Sequence, residues 1–338
     1  MKRILCILLI CALFCGCAVT VKEENKFYEA SFLDLFDTIT VIKGSADSKE
    51  TFQSITQSIH DELYFYHQLF DIYTDYEGLH NLKTINDQAG IAPVKVDRKI
   101  IDLLNDCKTY YELTDGRVNV AMGSVLLLWH DARNDGINDP LNARLPDDDA
   151  LQAASRHTAI DAIVIDEVAS TVFVSDPDVR IDVGAVAKGW SVQRVAENAP
   201  SGLLLSVGGN VCATGPKSVD TPWVVGVQNP AGEDYLHTIY VSDASVVTSG
   251  DYQRCYSVDG KLYHHIIDPE TCFPSTYWRS VTIVCDDSGL ADALSTALFL
   301  LPLEDGQTLL SQCGAEALWV DADGNRYYSP GFEALLRT

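Results

Sequence analysis

Apolar residues recur along this chain at two spacings, and the switches between them mark its elements. Over residues 48–70 the positions Ile55, Ile59, Leu63, Phe65 and Leu69 follow helical spacing and predict an amphipathic helix. A second helix is predicted over 98–114, stopped by Asp115-Gly116. Residues 28–43, YEASFLDLFDTITVIK, read as one strand with a charged interruption. The polar run DIYTDYEGLHNLKTINDQAG reads as loop, apart from a short helical patch around Leu82 and Ile85. RVNVAMGSVLLLWH reads as a strand or buried turn entering a short helix, and 131–149 is the most loop-rich stretch.

Downstream, AIVIDEVASTVFVSDPDVRIDV alternates with turn residues and predicts a meander. GAVAKGWSVQRVAENA opens a helix directly off a strand. Further strands are predicted at Leu203–Val207, Trp223–Gln228, 236–241 and 280–284, and LADALSTALF is an apolar helical run. The order lacks the regular strand-helix alternation of a doubly wound sheet, and it shows no repeat or low-complexity linker. The expectation is an α+β protein, with mixed or antiparallel sheets and packed helices in a single compact unit over 28–338.

Composition narrows the function. The chain has 338 residues and a net charge of −24, which excludes the basic stripe of a nucleic-acid groove and disfavours electrostatic docking on anionic lipid. A phosphate ligand would need a few placed donors or a metal. At the N-terminus, Lys2 and Arg3 precede an apolar run and small residues, the layout of a secretory signal over 1–17. Gly16-Cys17 resembles a lipobox, so Cys17 is expected to carry lipid, with 18–27 as a tether and the protein anchored to the membrane outside the cytoplasm. A plain cleaved signal is the alternative. Of ten cysteines, six lie beyond this segment, with neither CxxC nor zinc spacing.

Several segments could carry chemistry. In RIDVGAVAKGW, Asp182 ends a strand and Lys188 falls in the first helical turn, where backbone N–H groups favour an anion. SVGGN (206–210) lets backbone approach a ligand or simply turns. TSGDYQRCY (248–256) is small and polar after a β-branched strand. YHHIIDPETCFP (263–274) offers a histidine, the side chain suited to general base work near neutral pH. In a strand only one of His264 and His265 can face a cleft. Asp292 and Thr296 project from one face of their helix. Each has an ordinary structural explanation by itself.

Taken in order, DVGAVAKGW, SVGGN, TSGDY, HIIDP and ADALSTALF, with TDGRVNVAMG upstream, resemble the ApbE family of FAD:protein FMN transferases. The resemblance runs from FDTIT near residue 36 to about residue 301. It implies Mg²⁺-dependent transfer of FMN from FAD to a Ser or Thr hydroxyl of an acceptor redox protein, with release of AMP. It implies a metal held by Asp292, Thr296 and backbone oxygen near Ala185, with Ser295 as a further backbone ligand. Asp182 and Lys188 would contact FAD, and His265 would deprotonate the acceptor, with His264 as the other choice. Phe36, Thr38 and Tyr73 sit where the family lines its flavin pocket; Ala121, Met122 and Gly123 match a backbone-contact segment; by the same resemblance Ile266 would touch the cofactor. Three positions depart from the family pattern: Phe36 for Met, Gln193 for Asp and Cys272 for Gly. A Cys255–Cys272 disulfide is a further expectation. The rival readings are FAD hydrolysis to FMN and AMP, a non-catalytic flavin-binding lipoprotein, and a Cys272/His265 hydrolase.

Overall fold

A computed structural model describes residues 26–232 and 234–337; the signal pattern, Cys17 and all but the last two residues of the expected tether lie outside the described residues. Strands β1 (Lys26–Leu35) and β2 (Thr38–Ala46) pair antiparallel. The stretch read as one strand is therefore a hairpin. Its turn residues Phe36 and Asp37 have φ of 50° and 53°, the left-handed backbone that two-residue hairpin turns require. Neither is glycine or asparagine, so composition concealed the turn.

Helix α1 (Lys49–Phe70) starts at Ser48, whose hydroxyl accepts the Thr51 N–H. Helix α2 (Leu82–Asp87) opens in a reciprocal Asn81/Thr84 capping box. After β3 (Val94–Lys95) comes α3 (Arg98–Leu113), capped by Asp97. Helix α4 (Gly123–Asn138) continues well into the stretch expected to be loop. Gly136, which reads as a breaker, is instead where this helix meets the Tyr256 ring, 2.6 Å from where a Cβ would stand. Helix α5 (Asp148–Ala154) follows. Strands β4 (Ile163–Asp166) and β5 (Thr171–Val174) complete a small sheet of order β3-β5-β4.

Helix α6 (Ala187–Asn198) leads into β6 (Leu203–Val207), β7 (Asn210–Ala213), β8 (Trp223–Gln228) and β9 (Tyr235–Val241). Then come β10 (Ser245–Gly250), β11 (Tyr256–Val258), β12 (Lys261–Tyr263) and β13 (Ser280–Cys285). Helices α7 (Ser288–Phe299) and α8 (Leu303–Leu310) precede β14 (Glu316–Val320) and β15 (Arg326–Tyr328). The principal sheet has eight strands, all antiparallel, in the order β1-β2-β6-β7-β10-β13-β14-β15. The α+β expectation holds.

Strand alternation sorts this sheet's side chains into two cores. Val247, Val281, Ile283, Ala317 and Trp319 join the core that also holds α1, α6 and α7. Val246, Val284, Leu318 and Val320 face the β8–β9 hairpin on the other side. Because α7 lies between sheet and helices, it is apolar nearly all round, and Leu294, Leu298 and Phe299 are fully buried. Each such side chain stabilises the fold by about 1.5–3 kcal/mol. A third, smaller core joins α4 and α5 to Tyr256, Ile267 and Cys272.

All six described cysteines are free thiols, so the expected Cys255–Cys272 disulfide is not formed. Each sulfur turns instead to a local carbonyl, Cys255 to Tyr252 and Cys272 to Pro269. Cys272 does occupy a left-handed position, with φ of 58°, which accounts physically for glycine being usual there.

Candidate functional site

A cleft of about 750 Å³ opens where the N-terminus of α6, one end of β10, α7 and the His264–Ile267 segment meet. Its floor is built from the approach of two helices. Gly189 packs against α7 so closely that a Cβ there would stand 2.5 Å from Asp292 Cβ and closer still to the Ser288 carbonyl oxygen. That proximity lets the Gly189 N–H donate to Asp292 Oδ2 at 2.8 Å. Gly189 is the third residue of α6, so its N–H is one of the first-turn donors that no carbonyl within the helix satisfies, and Asp292 caps it from the neighbouring helix. The Ala185 carbonyl, just outside the helix, has no backbone donor among the described residues.

The Asp292 carboxylate is 5 % exposed, and Lys188 Nζ stands 4.0 Å from its Oδ2. Thr296, one turn further along α7, lines the same corner with Ala185. A carboxylate, a hydroxyl and an unspent carbonyl are hard oxygen donors, the set that suits Mg²⁺ with positions left for phosphate oxygens. These residues fit the metal that the family resemblance implies. Ser295 lies behind them, fully buried. Its hydroxyl donates to the Asp292 carbonyl at 2.9 Å and receives the Ser249 hydroxyl at 2.8 Å, tying α7 to β10. Among the described residues one other group has metal-ligand character: His157, Asp176 and Asp178, which lie away from the cleft, with His157 Nδ1 2.8 Å from an Asp176 carboxylate oxygen.

We expect Gly189→Ala to destabilise the protein by about 1–3 kcal/mol through overpacking and to displace Asp292. Chemical denaturation should show the lower midpoint, and activity should fall further than stability alone explains.

The adjacent histidines are separated by their partners. His264 Nδ1 accepts the Ile266 N–H at 3.2 Å, so its Nε2 carries the proton and donates to the Ser275 carbonyl at 2.8 Å. It is buried, held neutral by desolvation, and edge-on to Phe299. His265 lines the cleft, and its buried Nδ1 has no partner among the described residues. Burial, then the charge of Arg254, lowers its pKa to about 3, so the ring is neutral with a free electron pair. The loop that follows is fixed by Arg117, which donates to Asp268 and Glu270 at 3.2 and 2.7 Å, and by Trp129 Nε1 donating to the Cys272 carbonyl at 2.8 Å.

Asp182 borders the cleft, with burial raising its pKa and the Gly184 N–H bonding its Oδ1 at 2.8 Å. Its backbone is clamped from both sides. Asn86 exchanges two hydrogen bonds with Ile181, and Asp182 N–H donates to the Val120 carbonyl. Here the Ala121–Gly123 segment finds its place. Ala121 is fully buried, and Gly123 lies against the Arg180 carbonyl, to which its N–H donates at 2.9 Å. Neither lines the cleft, whereas Met122 and Ile266 do.

Phe36, Thr38 and Tyr73 form the outer wall. One network joins its parts: Phe36 N–H donates to His67 Nδ1 at 3.2 Å, His67 Nε2 faces the Tyr76 hydroxyl, and Tyr76 donates to Asp71 at 2.9 Å. Asp71 in turn accepts the Tyr73 N–H, and the Tyr73 ring stacks on His130 at 5.3 Å. Gln193, where the family commonly has Asp, accepts the Ser288 N–H at 2.9 Å and helps cap α7. Sequence reasoning passed over Asn210, which is 3 % exposed with a side-chain nitrogen at the cleft that has no partner among the described residues; its signal was the final residue of SVGGN.

Comparisons with known proteins agree with this architecture. The chain is 37% identical over 277 residues to the FAD:protein FMN transferase of Treponema pallidum, covering 76% of this chain and 75% of that one. Its structure is similar to that of the ApbE protein from Thermotoga maritima, with a TM-score of 0.82 and 31% identity over 93% of this chain and 100% of that one. The flavin transferase ApbE from Vibrio cholerae shares the fold, with a TM-score of 0.75, 23% identity and the same coverage of 93% and 100%. The ApbE family model matches residues 34–319, and with the relatives above this shows that the chain belongs to the ApbE family.

Proposed function

We propose that this protein transfers FMN from FAD to a Ser or Thr hydroxyl of an acceptor protein, with Mg²⁺ in the Asp292 corner and AMP as the leaving product. The observation that carries the reading is the Ala185 carbonyl, without a backbone donor among the described residues, lining one cleft with Asp292, Thr296, Lys188 and His265. A divalent cation bound there supplies charge neutralisation on the diphosphate. The chain's own residues do the rest. His265 accepts the hydroxyl proton as the acceptor oxygen forms a bond to the flavin-side phosphorus. The bond from that phosphorus to the bridging oxygen breaks, and the electron pair leaves with AMP. Lys188 and Asp182 position the dinucleotide, and Phe36, Tyr73, Met122 and Ile266 surround its rings. Ala121, Gly123 and Ser295 act by holding the backbone that carries these groups.

Purified protein with FAD and Mg²⁺ should raise an acceptor's mass by that of one FMN and release AMP in equal amount; intact-mass analysis and chromatography read the two products. Chelator should abolish both. FMN formed at the same rate without acceptor would instead identify a hydrolase. We also propose that the enzyme works outside the cytoplasm, held to the membrane by lipid on Cys17. Among the described residues no helix is long and apolar enough to cross a membrane. Radiolabelled fatty acid should be incorporated by the wild type and not by Cys17→Ser.

A further inference from the structure

The cleft contains two cations that this reading does not use. Arg133, on α4, and Arg254, between β10 and β11, both border it. Neighbouring cations have carboxylate partners: Arg117 pairs with Asp268 and Glu270, Arg279 with Asp251, and Lys188 with Asp292. Arg133 and Arg254 have none among the described residues. Arg133 is partly buried, and both its desolvation and the nearby charge of Arg254 disfavour its charged form. A partly desolvated guanidinium beside a like charge is unfavourable until an anion arrives.

Arg133 is also held in place. Arg133 Nη2 donates to His130 Nδ1 at 3.0 Å, and His130 stacks on Tyr73 at 5.3 Å, so the guanidinium is fixed to the aromatic wall. Arg254 is exposed and lines the same cleft as His265 and Asp182. In a chain of net charge −24, two unpaired guanidiniums facing one cleft need a reason. Guanidinium forks match phosphate oxygens in geometry as well as charge.

We propose that Arg133 and Arg254 form a second anion subsite of the cleft, one that holds the diphosphate of the dinucleotide without help from a metal ion. This rests on the flavin-dinucleotide reading above. The oxygen-donor corner made by Asp292 and Thr296 serves one side of the diphosphate, and the arginine pair serves the other. The subsite therefore distinguishes a dinucleotide from an uncharged flavin.

Equilibrium binding followed by flavin fluorescence, with excess chelator, tests this directly. Wild type, Arg133→Ala, Arg254→Ala and Arg254→Lys are titrated with FAD and with riboflavin. Each alanine variant should bind FAD about tenfold more weakly, with riboflavin affinity unchanged and the lysine variant in between. FAD affinity unchanged in both alanine variants, or riboflavin weakened as much as FAD, overturns the subsite. Wild type that binds FAD with Mg²⁺ but not with chelator also overturns it, while leaving the transfer reading standing. Wild type that binds FAD under neither condition defeats the transfer reading as well.

Discussion

Asp292→Ala should transfer FMN on the order of 10³-fold more slowly than wild type, since a metal-binding carboxylate supplies several kcal/mol and each 1.4 kcal/mol is about a factor of ten. The same substitution strips the Gly189 N–H of its acceptor in the interior, which by itself costs about 1–3 kcal/mol of stability. Asp292→Asn separates the two effects, because its amide oxygen still accepts that N–H while the negative charge is gone. The expected result is a near-normal unfolding midpoint, a rate as low as that of the alanine variant, and loss of Mg²⁺ binding by calorimetry. Normal turnover by Asp292→Asn would remove the carboxylate from the mechanism.

His265→Ala should lose about 10²–10⁴ in rate with the fold intact, the usual cost of removing a general base. His264→Ala should behave differently. It leaves the Ile266 N–H and the Ser275 carbonyl unpaired in the interior, so its main effect is a lower unfolding midpoint. Titration supplies a second contrast. The folded pKa of His265, about 3, lies below the 6.5 of a free imidazole, so the unfolded chain takes up the proton first. Stability from this group is complete above about pH 6.5 and declines as pH falls towards 3. His265→Gln should flatten that decline, and the imidazole resonance of the free enzyme should stay in its neutral position down to roughly pH 4. Bound diphosphate, being negative, should move the transition upwards.

Periodicity served well where burial is one-sided or complete. Helix α1 follows its apolar stripe from the Ser48 cap to Phe70, and β6, β8 and β13 fall where β-branched and aliphatic runs placed them. It failed where long-range packing overrides local composition. Gly136 continues α4 because the Tyr256 ring needs the space, and Phe36-Asp37 turns left-handed because β1 must fold back on β2. The site shows the same division. Asp292 and Thr296 were legible together because helical spacing is a short-range fact. The part played by Gly189 was not, since it depends on how closely α6 approaches α7, two segments a hundred residues apart. Asn86 escaped for the same reason, since it reaches Ile181 across the tertiary fold, and Asn210 and Arg133 matter only because distant segments assemble the cleft that they line.

The Gly189 amide ties the carboxylate of one helix to the first turn of another. Were α6 to slide away from α7, Asp292 would lose its anchor and the amide its only interior acceptor among the described residues. The spacing of the two helices and the aim of the carboxylate are therefore set together, by one bond.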